Sequence, residues 1–169
     1  MKAIWTLLFL FMFVSIQGCC IIGLFTKGNS KESKRDRQAR ELSEIAETIK
    51  TDNGILVRLE GDILFATGKT DLTPGSEKQI RAIANILKKY EGNKIGVTGH
   101  TDNVGKLHDN LLLSEGRAKA VKDELVTDGV ENKAVTTDGM GERRPVVPNN
   151  TAANRTLNRR VELEIQTVD

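Results

Sequence analysis

From Gly54 onward the chain alternates. In "GILVRLEGDILF", Ile55, Val57 and Leu59 face one way and Arg58 and Glu60 the other, and this period of two predicts a strand. The period then changes. Thr73 is a good N-cap with Pro74 at the first helical position, and Ile80, Ile83, Ala84 and Leu87 follow at helical spacing. Lys88 and Lys89 suit the negative end of that helix, and Gly92 suits its stop. "KIGVTGH" is a short strand. A second helix is expected from about Asn110 to Val126, with Gly129 just beyond it. "AVTTDGMG" is another strand, and the loop "GERRPVVPNNTAANR" follows. The chain closes with "RRVELEIQ", where Val161, Leu163 and Ile165 alternate with Glu162 and Glu164. The order β-α-β-α-β-β predicts an α+β fold, with two main helices packed on one face of a mixed sheet. There is no internal repeat.

The residues before Gly54 are of a different kind. "KGNSKESKRDRQARELSEIAETIK" is highly charged, and Ala39, Leu42, Ile45 and Ile49 recur at three and four residues. A narrow helical stripe of this sort predicts a solvated spacer helix, with a small helix-pairing surface as the alternative. Ahead of it, "MKAIWTLLFLFMFVSIQGCC" has a basic start, an apolar run from Ile4 to Ile16 and a small residue before a cysteine. This is the three-part pattern of a secretory signal. "SIQGC" resembles the bacterial lipobox, which implies lipidation at Cys19 after removal of residues 1–18. Ala3 to Phe25 is also long enough to cross a bilayer, so an uncleaved anchor is the second reading. The expected organisation is a signal at 1–18, a lipidated and partly helical tether at 19–53, and a domain at 54–169.

Composition narrows the function. The net charge of +2 and the 4% of aromatic residues give no footing for nucleic acid. Cys19 and Cys20 are adjacent and the rest of the chain has no cysteine, which leaves them to the N-terminal segment and not to a disulfide. His100 and His108 stand eight residues apart with no cysteine nearby, so no metal is expected, and no cofactor.

One residue breaks the pattern. Arg117 falls on the apolar stripe of the second helix, with Leu113 a turn before it and Val121 a turn after. A buried charge needs a partner or an opening to water. A salt bridge to Asp102, in the turn that feeds the same helix, is one reading, and snorkelling of the side chain to solvent is another.

A resemblance bears on this residue. "GHTDNVG", "NLLLSEGRAKAV", "GMGERRPVVPNNT" and "NRRVELEI", in this order, resemble the OmpA-like peptidoglycan-binding domain, and "DILFATGKTDLTP" resembles that family's entrance strand and loop. The resemblance implies a cleft for the diaminopimelate end of a peptidoglycan stem. Asp102 would take the ammonium and Arg117 the carboxylate, with Thr101, Asn110, Leu113 and Arg159 lining the site and Asn158 organising the corner. Acceptor-only carboxylate and planar guanidinium suit these roles. Two positions depart from the family pattern: Gly116 lies in mid-helix, at a cost of about 1 kcal/mol relative to alanine, and Asn154 stands where glycine is usual. Anchor, tether and cleft together imply an outer-membrane lipoprotein that binds peptidoglycan non-covalently and has no enzymatic activity. The alternatives are an inner-membrane-anchored periplasmic protein and a cell-wall hydrolase built on His100, Asp102 and Ser114.

Overall fold

The computed structural model of the chain describes residues 32–167. The expected signal at 1–18 and the lipidated Cys19 lie outside the described residues. No helix among those described is long and apolar enough to cross a membrane.

The expected core elements form in the expected order. Strand β2 (Gly54–Glu60), helix α3 (Pro74–Lys89), strand β3 (Lys94–His100), helix α4 (Leu107–Thr127), strand β4 (Val135–Gly141) and strand β5 (Arg160–Gln166) make up the β-α-β-α-β-β frame. Three short elements join it: β1 (Glu47–Thr51), α2 (Gly61–Leu64) and α5 (Ala152–Asn158). The sheet runs β1-β2-β5-β3-β4, antiparallel except for the parallel β3–β4 pair. Register places Ile55, Val57 and Leu59 opposite Ile165, Leu163 and Val161, and all six are buried under the helices. Thr73 caps α3 through its hydroxyl, which accepts the Ser76 N–H, as the sequence predicts.

The stretch read as a spacer is part of this fold. Helix α1 (Lys34–Ser43) ends before Ile45, and the chain turns into β1, which pairs with β2. Thr48, Ile49 and Thr51 are β-branched and favour the strand. Leu42 is fully buried and Ala39 nearly so. Glu41 accepts hydrogen bonds from Lys89 Nζ at 2.9 Å and Tyr90 Oη at 3.0 Å, which ties α1 to the end of α3. The folded unit therefore begins well ahead of Gly54. Of the narrow stripe, Ala39 and Leu42 are buried in the core and Ile45 packs partly against it, while Ile49 is exposed on β1.

The other face of the sheet is polar. Glu162 Oε1 accepts from Arg58 Nε at 3.1 Å and Arg160 Nε at 2.9 Å, and Glu162 Oε2 lies 3.5 Å from His100 Nε2. The His100 ring, then Arg160 and Arg58, hold the Glu162 carboxyl well below its ordinary range, against the opposing effect of burial.

Two outcomes follow from this packing. Leu42→Ala is expected to cost about 2–5 kcal/mol in denaturant unfolding, because it opens a cavity in the core; a solvated spacer would show no change. A carboxyl with a depressed folded pKa stabilises the fold above its unfolded value and loses that contribution as pH falls through the folded one. For Glu162 the window lies below the ordinary glutamate value of 4.5. Glu162→Gln is expected to lower stability at neutral pH and to flatten the acid limb of the stability curve below that value.

Candidate functional site

The site forms where β3 ends and α4 begins, and two close approaches place it. A Cβ on Gly99 would lie 2.0 Å from the Ser114 carbonyl oxygen, and one on Gly139 would lie 2.5 Å from the Glu115 nitrogen. These glycines are neighbours across the parallel β3–β4 pair, so they form a bare patch on which α4 lies directly. Ser114 Oγ accepts the Gly141 N–H at 2.8 Å and donates to the Leu111 carbonyl at 2.8 Å. That hydroxyl is engaged in holding the helix to β4, while His100 faces Glu162. The structure therefore does not assemble His100, Asp102 and Ser114 as a triad.

Arg117 projects from α4 and is only 4% exposed. Its Nε donates to the Lys69 carbonyl at 3.0 Å, and its guanidinium carbon lies 5.0 Å from the centre of the Phe65 ring. Among the described residues its Nη1 and Nη2 have no hydrogen-bond acceptor, and no carboxylate comes within 4.0 Å. The salt bridge to Asp102 read from the sequence is absent, and so is snorkelling. Burial pulls the Arg117 pKa down, and the nearby Asp62 opposes this more strongly than Asp102 does.

Asp102 pairs with Arg159 instead. Asp102 Oδ2 accepts from Arg159 Nη1 at 2.6 Å, and Asp102 Oδ1 accepts the Val104 N–H at 3.0 Å. Arg159 also donates to Asp62, from Nε at 2.7 Å and Nη2 at 2.5 Å, and from Nη2 to Thr156 Oγ1 at 2.7 Å. Arg159 hydrogen-bonded to Asp62 and Asp102 is held protonated still more firmly than a free arginine, and the same bonds lower the Asp62 pKa. Thr101 and Asn110 are buried beside Asp102: Thr101 Oγ1 donates to the Asp102 carbonyl at 2.9 Å, and Asn110 Nδ2 bridges that carbonyl at 3.3 Å and Glu142 Oε2 at 2.8 Å. Leu113 is half-buried one turn before Arg117. Asn158 is fully buried. Its amide accepts from the Val146 and Val147 N–H groups and donates to the Val147 carbonyl and Asn149, so it does organise the corner. Asn154 lies inside α5 and not in a left-handed turn.

Sequence reasoning missed Asp62, Phe65 and the Lys69 carbonyl. All three come from the stretch "DILFATGK", whose signal was a carboxylate set directly before an apolar run. Gly116 has a packing role that offsets its cost in mid-helix. A Cβ there would lie 2.8 Å from Thr70 Cγ2, so the glycine lets the 66–72 loop cross α4 and bring the Lys69 carbonyl to Arg117.

This arrangement presents an open guanidinium fork beside a carboxylate with free lone pairs. It suits a ligand group that carries a carboxylate and an ammonium close together.

Comparison with known proteins places the chain in a family. Residues 64–159 match the OmpA family. Outer membrane porin F of Pseudomonas aeruginosa is 43% identical over 112 residues, covering 66% of this chain and 32% of the porin. The probable lipoprotein YiaD of Escherichia coli K12 is 30% identical over 116 residues, covering 69% of this chain and 53% of that protein. The matched part thus spans about a third to a half of these relatives' length. Among solved structures, the cell wall anchor of the T6SS from Pseudomonas aeruginosa superposes with a TM-score of 0.70 at 31% identity, covering 80% of this chain and all of that one. The chain belongs to the OmpA family, and its five-stranded mixed sheet with packed helices matches the fold of that solved structure.

Gly116→Ala tests the loop crossing. An open helix would gain about 1 kcal/mol from this change. Here it is expected to destabilise the chain, and to stabilise it once Thr70→Ala removes the clashing methyl. A double-mutant cycle in denaturant reads the coupling directly.

Proposed function

We propose that this OmpA family chain is a non-covalent staple between a membrane and the cell wall, and that its cleft holds the diaminopimelate end of a peptidoglycan stem. The observation that carries the reading is the bare outer edge of the buried Arg117, for a carboxylate, near an Asp102 whose two oxygens each accept one hydrogen bond and keep a lone pair for an ammonium. In this reading Thr101 and Asn110 fix the Asp102 backbone, Leu113 supplies an apolar wall, and Arg159 holds Asp102 in place with one N–H to spare. A site bearing both charges favours a zwitterion over a simple anion or cation.

The membrane half of the proposal rests on the lipobox-like "SIQGC" and on the likeness to a probable lipoprotein and an outer membrane porin. Cys19 is the proposed lipidation site, the outer membrane the proposed location, and the domain faces the periplasm. Lipidation at that cysteine supplies enough acyl chain for stable anchoring. The apolar run from Ala3 to Phe25 supports a second reading, an uncleaved inner-membrane anchor. Incorporation of labelled fatty acid that Cys19→Ala abolishes supports the lipoprotein; no incorporation supports the anchor. Neither reading includes catalysis.

Each charge-assisted contact contributes about 1.5–3 kcal/mol, and a small cleft also carries association costs. Single-site affinity is therefore expected in the micromolar to millimolar range, raised on the polymer by tethering and by many equivalent stems. The test is co-sedimentation of the detergent-solubilised chain with purified sacculi. Wild type is expected to pellet. Arg117→Ala and Asp102→Ala, folded by circular dichroism, are expected to lose at least about tenfold in binding. Equal pelleting of all three would move the binding surface elsewhere. Soluble fragments released from the wall would make the protein an enzyme.

A further inference from the structure

The site contains two arginines, yet only one of them is open. Asp62 is the reason. Its two carboxylate oxygens take Nε and Nη2 of Arg159, which is the edge a bound carboxylate would use. Thr156 and Asp102 take two further N–H groups of the same guanidinium. Asp62 thus stands on Arg159 as a ligand carboxylate would. The contact is built into the fold. A Cβ on Gly61 would lie 2.7 Å from the Arg159 carbonyl oxygen, and the Gly61 N–H donates to that oxygen at 2.8 Å. The α2 turn is therefore seated directly on residue 159, with Asp62 as its first side chain. Asp62 remains 46% exposed and Arg159 27% exposed, so removing the aspartate opens the arginine edge to solvent and not to protein.

We propose that Asp62 sets the charge selectivity of the cleft: by occupying the Arg159 fork it leaves one carboxylate receptor and one ammonium receptor, so that the site accepts a zwitterion and rejects a dianion. Without Asp62, Arg117 and Arg159 both present open forks beside Asp102, and the cleft becomes a receptor for paired negative charges. Asp62 also sits close enough to Arg117 to be the strongest charge favouring its ionised form. A second ligand carboxylate entering beside Arg117 would therefore meet Asp62 in repulsion. Asp62 is a positioning residue, acting through Arg159 and not by contact with the ligand. The inference rests on the zwitterion reading above, and it has a readout of its own.

The probes are diaminopimelate and pimelate, which share a carbon chain and two carboxylates and differ only in the amines. Each is titrated by calorimetry into the full chain in detergent, for wild type, Asp62→Ala, Asp62→Asn, Asp62→Glu and, as a distant change of the same charge, Asp52→Ala. Circular dichroism checks the fold of each. Asp62→Ala and Asp62→Asn are expected to bind pimelate at least about tenfold more tightly than wild type, while diaminopimelate affinity moves by only a few fold. Asp62→Glu is expected to restore discrimination, and Asp52→Ala to behave as wild type. Unchanged pimelate affinity in both Asp62 variants overturns the proposal, whatever diaminopimelate does. A gain in pimelate binding with no diaminopimelate binding to wild type leaves Asp62 as the gate of an anion site and overturns the stem reading instead.

Discussion

Everything distinctive in this domain follows from burying the guanidinium of Arg117 without neutralising it. A charge in that position is costly unless its surroundings replace water. Here the replacement is partial and directional. The inner nitrogen has the Lys69 carbonyl, the flat face has the Phe65 ring, and the carboxylates of Asp62 and Asp102 contribute at longer range. Among the described residues the outer edge has no hydrogen-bond partner. A guanidinium held on one side and left bare on the other is already shaped for an oxyanion, so in the proposed function its binding geometry is prepared before any ligand arrives. That preparation lowers the ordering cost that would otherwise weaken a small cleft.

The sheet is what makes this burial possible. With ordinary side chains at Gly99 and Gly139, α4 would be pushed off β3 and β4, and Arg117 would move away from the entrance loop. With a side chain at Gly116, the Thr70 side chain that packs on the helix there would have to give way. The glycines act as a set: two bring the helix to the sheet and the third brings the loop to the helix. Their cost in backbone entropy and helix propensity is offset by a position for Arg117 that no flexible contact would hold. The second arginine is managed differently. Arg159 starts as the C-cap of α5 and is consumed by two carboxylates and a hydroxyl. One chain therefore leaves one buried guanidinium with a bare edge and uses the other as a brace.

The alternation of β2 and β5 and the caps of α3 were plain in the sequence because each depends on a few consecutive residues. Arg117 was plain as an anomaly, since a charge on an apolar stripe needs an explanation. Its partners were not, because Lys69 contributes a backbone carbonyl and Phe65 a ring face, and neither leaves a mark in residue spacing. The Asp102–Arg159 pair was hidden for another reason: it joins residues 57 apart in the chain, and Arg117 was the nearer candidate. The N-terminal helix was misread at its end. Ile45 and Ile49 continue a helical spacing, but Thr48, Ile49 and Thr51 are better strand formers, and "TDNG" closes a hairpin onto β2. Periodicity alone gave no reason to prefer the strand, because the surface that rewards it, the edge of β2, lies further along the chain.

Packing α1 and β1 into the fold changes how the domain would carry load. The proposed site lies at the His100 end of β3. The other end of that strand, at Lys94, lies close to where α1 begins, for Lys34 Nζ donates to the Glu91 carbonyl at 3.1 Å. Seven strand residues at about 3.3 Å each separate the two ends by about 20 Å. The described part of the chain thus begins at the pole opposite the proposed site. In a staple of the proposed kind, tension between wall and membrane would run along the strands. A load from the N-terminal side would reach β1 at Glu47, which pairs with Arg58 at the His100 end of the sheet, so it would meet α1 and its buried Leu42 and Ala39 before any bond of the β1–β2 ladder. A solvated spacer in the same place would transmit force without resisting it, so the burial of α1 makes mechanical as well as thermodynamic sense.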